Sequence, residues 1–169
     1  ASKEGMNIEG LGEKIVEQLY NNELIKTIAD IYYLKQEDIQ TLKKDGKKFA
    51  KNLVDAIEQS KDNELDRLIC ALGIRHIGTK SAKTLAKKFK SIDGLSNATL
   101  EELIETEDVG EITAKSIYEF FKQEQTEDLI NKLKQANVNM VLNQDESLDN
   151  RFEGKVFVLT GSLQDFTRD

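Results

Sequence analysis

The sequence predicts an all-α fold of four tandem helix-hairpin-helix repeats packed in pairs, followed by a truncated β-strand tail. Three observations carry that expectation. A glycine-led motif recurs four times at nearly constant spacing, apolar residues at helical period surround each copy, and one strand-like run stands alone at the far end.

In each copy a glycine is followed four residues later by a small apolar residue, and three later by a larger one. The sets are Gly12, Val16, Leu19; Gly46, Ala50, Leu53; Gly78, Ala82, Leu85; and Gly110, Ala114, Ile117, with the glycines 34, 32 and 32 residues apart. Self-similarity of this kind marks a chain built from repeated supersecondary units. The fourth and seventh residues after the glycine share one helix face. The small one lets that helix approach a partner closely. The glycine marks the helix start, where a sharp turn and a positive φ are expected. No unit can bury its apolar face alone, so the repeats are expected to pair as residues 1–63 and 64–142 within a domain of residues 1–142.

Apolar periodicity places helices near 13–21, 24–33, 36–43, 47–60, 64–72, 79–89, 99–105, 111–122 and 126–136. Residues 143–151 are polar and acidic, like a linker. Within 152–169, Val156 to Leu159 reads as a strand. A lone strand forms no sheet, so this stretch is expected to open a further domain.

Charged residues make up 33% of the chain and hydrophobic residues 38%, a balance suited to a soluble globular protein with a large wet surface. No apolar run approaches the roughly 20 residues needed to cross a bilayer. The opening ASKEGMNIEG lacks the charged head and apolar stretch of a signal peptide. The single cysteine, Cys70, excludes an internal disulfide and is expected as a buried thiol in an apolar helix. Cys70 and the single histidine, His76, cannot by themselves build a tetrahedral zinc site. These features fit the cytosol.

The formal net charge of −7 argues against a polyanion as partner, but its distribution argues the other way. Arg67 to Lys90 holds seven basic residues and no acid, and Lys43 to Lys51 holds five lysines and one acid, whereas Thr99 to Glu111 holds six acids and no base. The basic islands fall on the repeat. Two residues after the glycines stand Lys14, Lys48, Lys80 and Ile112, so three units place a lysine in the first turn of the second helix. Free N–H groups and the positive end of the helix dipole meet there. A lysine beside them adds a counter-charge for phosphate. The fourth unit, with acids around Gly110, should be the poorest anion site.

The strings IEGLGEK (Ile8 to Lys14) and LGIRHIGTKSA (Leu72 to Ala82) closely resemble the helix-hairpin-helix domain of bacterial NAD-dependent DNA ligases. The resemblance runs from Met6 to Met140. FEGKVFVLTGSL (Phe152 to Leu163) resembles the first strand and Thr-Gly turn of the BRCT domain that follows in those ligases. The resemblance implies a SAM/RuvA C-like helix-hairpin-helix domain that grips nicked duplex DNA, in replication and repair, in the bacterial cytoplasm at the nucleoid. It implies a parent enzyme that uses NAD, magnesium and zinc. This chain would hold none of the three and no catalytic centre. Adenylation, OB-fold and zinc domains would be its partners, with no membrane involved. By position, Gly10, Gly12 and Lys14 match the first hairpin, Gly46 and Lys48 the second, and Arg75, His76, Gly78, Thr79 and Lys80 the third. Asp108 and Gly110 match the fourth. Lys83 and Lys87 add positive field.

The family's hairpin carries two glycines around an apolar residue, and only Gly10-Leu11-Gly12 keeps both. Lys44-Asp45-Gly46 loses the apolar tip. His76 and Asp108 replace the first glycine in units three and four, which weakens the expectation of phosphate binding for units two and four.

Lys43 to Gly46 reads KKDG and formally matches the Lys-x-Asp-Gly signature of the ligase nucleophile. That chemistry requires a lysine of lowered pKa over a nucleotide pocket, and the repeat already explains the glycine. His76 has no acid within its stretch to orient it as a base. A DNA contact or a local backbone bond suits its place at a hairpin tip. Glu101, Glu102, Glu107 and Asp108 show no metal-ligand pattern. Thr160 and Gly161 would bind phosphate only in a complete BRCT fold. Two other readings stay open: a hairpin module of another repair or junction protein, and a helical protein-interaction module whose lysines only solubilise it.

Overall fold

The structure, a computed structural model, describes residues 3–42 and 46–143. In chain order these form α1 (Glu13–Asn21), a 3₁₀ segment (Ile28–Tyr33), α2 (Gln36–Gln40), α3 (Lys47–Ser60), α4 (Leu65–Ala71), α5 (Thr79–Phe89), α6 (Ile92–Ser96), α7 (Leu100–Ile104), α8 (Glu111–Phe121) and α9 (Glu124–Gln135). The architecture is all-α among the described residues. The expected strand and almost all of the expected linker lie outside them.

Four helices begin immediately after the repeat glycines. In each, the small residue of the motif closes the first helical turn by donating its N–H to the glycine carbonyl. The distances are 3.0 Å for Val16, 2.7 Å for Ala50, 2.9 Å for Ala82 and 2.9 Å for Ala114. The larger residues Leu19, Leu53, Leu85 and Ile117 are buried. They pack against the preceding helix of their unit: α2 on α3, α4 on α5, and α7 on α8. The first unit differs, because the described residues ahead of its hairpin are turns rather than a helix.

The segment 24–33 is not the helix its periodicity suggests. Glu23 adopts a left-handed φ of 58°. The Leu24 N–H reaches back to the Leu19 carbonyl at 2.9 Å, and the Glu23 N–H to Tyr20 at 3.0 Å. This pair of bonds is a Schellman stop. The chain then runs extended through Thr27 (φ −125°, ψ 166°) before the short 3₁₀ turn. Asn137 (φ 60°) ends α9 in the same way. The five-residue α6, absent from the sequence reading, is started by Ser91, whose hydroxyl accepts from the Gly94 N–H at 2.9 Å. Cys70 is half-buried rather than buried. Burial, with the nearby Glu4 and Asp66 charges, raises its thiol pKa.

The two halves are tied by polar contacts. Arg67 donates to the Gly5 carbonyl at 3.0 Å and the Lys3 carbonyl at 2.6 Å, while Asn63, which bonds the Met6 carbonyl at 2.7 Å, anchors the same N-terminal turn within the first half. Asn139 brackets Lys61 and Asn63. α9 docks on the 3₁₀ segment, where the Tyr33 hydroxyl donates to the Lys132 carbonyl at 2.8 Å. The chain after α9 returns to the α5–α6 junction, with Leu142 N–H on the Lys90 carbonyl and Ile92 N–H on the Met140 carbonyl.

Two outcomes follow for stability. A Cβ at Gly94 would collide with the Phe89 carbonyl oxygen and crowd the Ser91 hydroxyl. Gly94→Ala should therefore cost about 1–3 kcal/mol, the range for overpacking, measured as a lowered urea midpoint. Burial raises the Asp30 pKa, but N–H groups of Lys26 and Thr27 at 2.8 and 2.7 Å, with the Lys132 charge, outweigh that and hold the carboxyl below its usual range. A depressed folded-state pKa adds stability above the unfolded pKa, and that stability is lost as pH falls through the folded value. Asp30→Asn should thus destabilise at neutral pH by about 1 kcal/mol, a capping-sized loss, and the difference should vanish in acid unfolding curves.

Candidate nucleic-acid interface

The three fully described hairpins share one backbone. Leu11 N–H donates to Ile8 at 3.2 Å, Ile77 to Ile74 at 3.2 Å and Val109 to Thr106 at 3.1 Å. In each turn the third residue carries positive φ: 82° at Gly10, 67° at His76 and 61° at Asp108. A closed four-residue turn with positive φ only at its third position is a type II turn. The positive φ expected at the repeat glycine therefore lies two residues earlier. Gly12, Gly78 and Gly110 have φ of −83°, −107° and −75° with extended ψ. His and Asp are among the non-glycine residues most tolerant of the left-handed region, so unit four keeps the geometry that its sequence had put in doubt. Gly46 departs, with ψ near 1°, and Lys43 to Asp45 lie outside the described residues.

A cap glycine is unexplained by its own conformation here. Gly12, Gly78 and Gly110 have room for a side chain, since an added Cβ would meet no atom of another described residue beyond its chain neighbours within 4 Å. Being glycines, the caps of α1, α3, α5 and α8 offer their helices no side-chain acceptor. By contrast, Ser91 caps α6 and Thr99 caps α7, the latter with Glu102 returning a bond at 2.8 Å. The starts of α1, α5 and α8 thus turn their first-turn N–H groups toward open space, which is the arrangement an oxyanion requires.

Electrostatics separates the four starts. α1 has Glu13 and α8 has Glu111 in the first turn, whereas α3 and α5 have no acid there. The sequence reading grouped units one to three by their lysines and missed Glu13. The first residue after each glycine was the signal available. Arg75, His76, Gly78, Thr79, Lys80, Lys83 and Lys87 are all exposed around the start of α5, as are Gly10, Gly12 and Lys14 at α1 and Lys48 at α3, whereas Gly46 is buried. The side chains of Arg75, His76, Lys83 and Lys87 have no hydrogen bond or ion pair to another described residue. Lys80 does: its Nζ lies 2.7 Å from Asp108 Oδ1.

That contact shows how the units pair. Asp108, third in the fourth turn, sits on the first turns of α5, with its carbonyl accepting from Ser81 and its carboxylate facing Thr84 at 3.4 Å. Lys88 continues the seam to the Glu102 carbonyl and the Thr106 hydroxyl. Gly10 holds the equivalent place in the first turn, and its Cβ position faces Phe49 and Leu53 of α3 at 3.7 Å. Hairpin one therefore rests on the second helix of unit two, and hairpin four on that of unit three.

Among the described residues, no group of three His, Cys, Asp or Glu side chains is placed to hold a metal ion, and no helix is long and apolar enough to cross a membrane. His76 has no carboxylate partner among them. The arrangement can bind an oxyanion but carries no nucleophile–base pair.

Comparison with known proteins agrees with the geometry. A SAM-like helix-hairpin-helix tandem family matches residues 4–59, and a helix-hairpin-helix motif family matches residues 67–130. A DNA ligase from Acetivibrio thermocellus is 49% identical over 99% of this chain, and one from Thermoanaerobacter pseudethanolicus is 48% identical over all of it. The chain spans 26% of the length of each of these relatives.

Proposed function

The chain belongs to the helix-hairpin-helix region of the DNA ligase family, and from that premise we propose that it binds nicked duplex DNA through backbone phosphates, as the clamping part of an NAD-dependent ligase. The observation that carries this reading is the start of α5. It combines bare amides, a cap glycine with nothing against it, no acid in the first turn, and Arg75, Lys83 and Lys87 exposed nearby. Contacts to phosphate fix register without reading bases, so the binding is independent of sequence.

Each repeat supplies a different share. Unit three, with Arg75, His76, Gly78, Thr79 and Lys80, is the main anchor. Unit two adds Gly46 and Lys48 on an acid-free helix start. Unit one offers Gly10, Gly12 and Lys14, opposed by Glu9 and Glu13. Unit four supports unit three. The adenylation, OB-fold and zinc domains of the parent are the partners, in the bacterial cytoplasm at the nucleoid. NAD, magnesium and zinc belong to those domains, and no step here runs through them.

The direct test is a gel shift of the chain on nicked and intact duplex across a salt series. The expected log-log slope is about −0.9 per phosphate neutralised, so Lys83→Gln with Lys87→Gln should flatten it. The competing reading, a protein-interaction module with solubilising lysines, expects no salt-dependent binding. It also expects Lys80→Glu with Gly78→Val to behave like Glu101→Lys. The cap glycine gives a sharper test. Serine is a better N-cap than glycine for stability, and the extended backbone at Gly78 accepts it. Gly78→Ser should keep or raise the unfolding midpoint while weakening DNA binding about tenfold, the scale of losing hydrogen bonds to a charged group. Unchanged affinity in a stably folded Gly78→Ser variant would show that this helix start meets no phosphate.

A further inference from the structure

Lys80 is the lysine best placed to meet a phosphate at the start of α5, yet it is already engaged. Its side chain is 81% exposed, and it reaches 28 residues along the chain to Asp108, whose side chain is 24% exposed. Asp108 is held there independently of the ion pair. Its left-handed φ is set by the fourth turn, and its carbonyl is bonded by Ser81. Its carboxylate thus stands against the first turns of a helix whose cap is bare, with one oxygen on an ammonium and the other facing the Thr84 hydroxyl. An anion, a helix start and a lysine are the same three parts that a bound phosphate would assemble.

We propose that Asp108 is an internal surrogate for a backbone phosphate, occupying Lys80 in the free protein and yielding it when DNA arrives. The inference rests on the DNA-binding reading above. Three features support the exchange. The lysine end of the pair is exposed, so water and salt weaken it and Lys80 can swing away readily. A backbone phosphate brings two anionic oxygens, as the carboxylate does, but it would face the α5 amides as well as the ammonium. Glu107, beside Asp108, adds to the negative field on Lys80, so a free Lys80 would be drawn back when DNA leaves. Asp108 thereby lowers affinity at the strongest anchor and favours ligands that offer a phosphate in the right place over diffuse negative charge.

The test is a cycle of Asp108→Asn, Lys80→Gln and the double variant in the full chain, titrated onto a labelled nicked duplex across a salt series. Asp108→Asn should tighten binding about five-fold and steepen the log-log salt slope by up to about 0.9. With Lys80→Gln present, the gain should fall below about two-fold. An equal gain in both backgrounds overturns the proposal, because Asp108 is then one more diffuse charge. Weaker binding by Asp108→Asn also overturns it, because the aspartate is then positioning the lysine. A titration of the Lys80 ammonium by NMR in the free proteins separates this from failure of the DNA-binding reading. Asp108 raises the Lys80 pKa, so the wild-type curve should lie above that of Asp108→Asn. Coincident curves overturn the pair itself. Separate curves with no salt-dependent DNA binding by any variant overturn the DNA-binding reading, and the surrogate role with it.

Discussion

The left-handed residue two positions ahead of Gly12, Gly78 and Gly110 is the constraint on which the interface depends. Its positive φ reverses the chain within four residues. The fourth residue of the turn, Leu11, Ile77 or Val109, then points toward the core, with Leu11 and Val109 buried and Ile77 half-buried. The next residue is the cap glycine, and the helix starts at once with its amides outward. A left-handed conformation costs an ordinary L-residue about 1–2 kcal/mol. The chain accepts that cost at His76 and Asp108. In return the third turn position can carry a side chain, so the chemistry of a hairpin can be changed while its backbone is kept.

The same constraint resolves the contradiction between an acidic chain and a polyanionic ligand. Charges farther than about 8–10 Å from a phosphate are largely screened at ordinary salt. What counts is the composition close to each anchor: the first turn of α5 has no acid of its own, and the one carboxylate that reaches it, Asp108, comes from unit four and is paired with Lys80. The acids concentrate in unit four, where Asp108 faces Lys80 and Glu111 is occupied by Lys115 at 2.7 Å. The negative balance still limits the strength of a single encounter. On the function proposed above, a weakly binding segment still contributes, because linkage to other binding domains raises its effective concentration.

Much of the fold was legible because the repeat is local. The spacing from glycine to small residue to large residue lies within one helix, and those four helices stand where the pattern placed them. What was not legible depended on conformations that the residue type disguises. Glu23 ends α1 in a left-handed conformation usually given to glycine, so apolar spacing beyond it read as more helix. The interface was legible in its residues but not in its pairings. Nothing along the chain links Lys80 to Asp108, because their meeting follows from how unit four packs on α5. Glu13 was visible beside Gly12, yet the regular spacing of the lysines drew weight away from it.

Cap chemistry differs among the helices. α6, between units three and four, and α7, the first helix of unit four, begin with Ser91 and Thr99, whose side chains accept from their own helix amides. The four helices that follow hairpins begin with glycine, although serine or aspartate would serve a helix start better in isolation. A requirement for conformational freedom does not explain this, since Gly12, Gly78 and Gly110 sit at negative φ, and neither does internal crowding, since nothing of the protein approaches them. Both explanations look inward and fail. The remaining one looks outward: the absent side chain leaves donors and space for a group that comes from outside the chain. Glycine at these three exposed helix starts, where serine or aspartate would add stability, is what the proposed phosphate contact accounts for and net charge alone would have hidden.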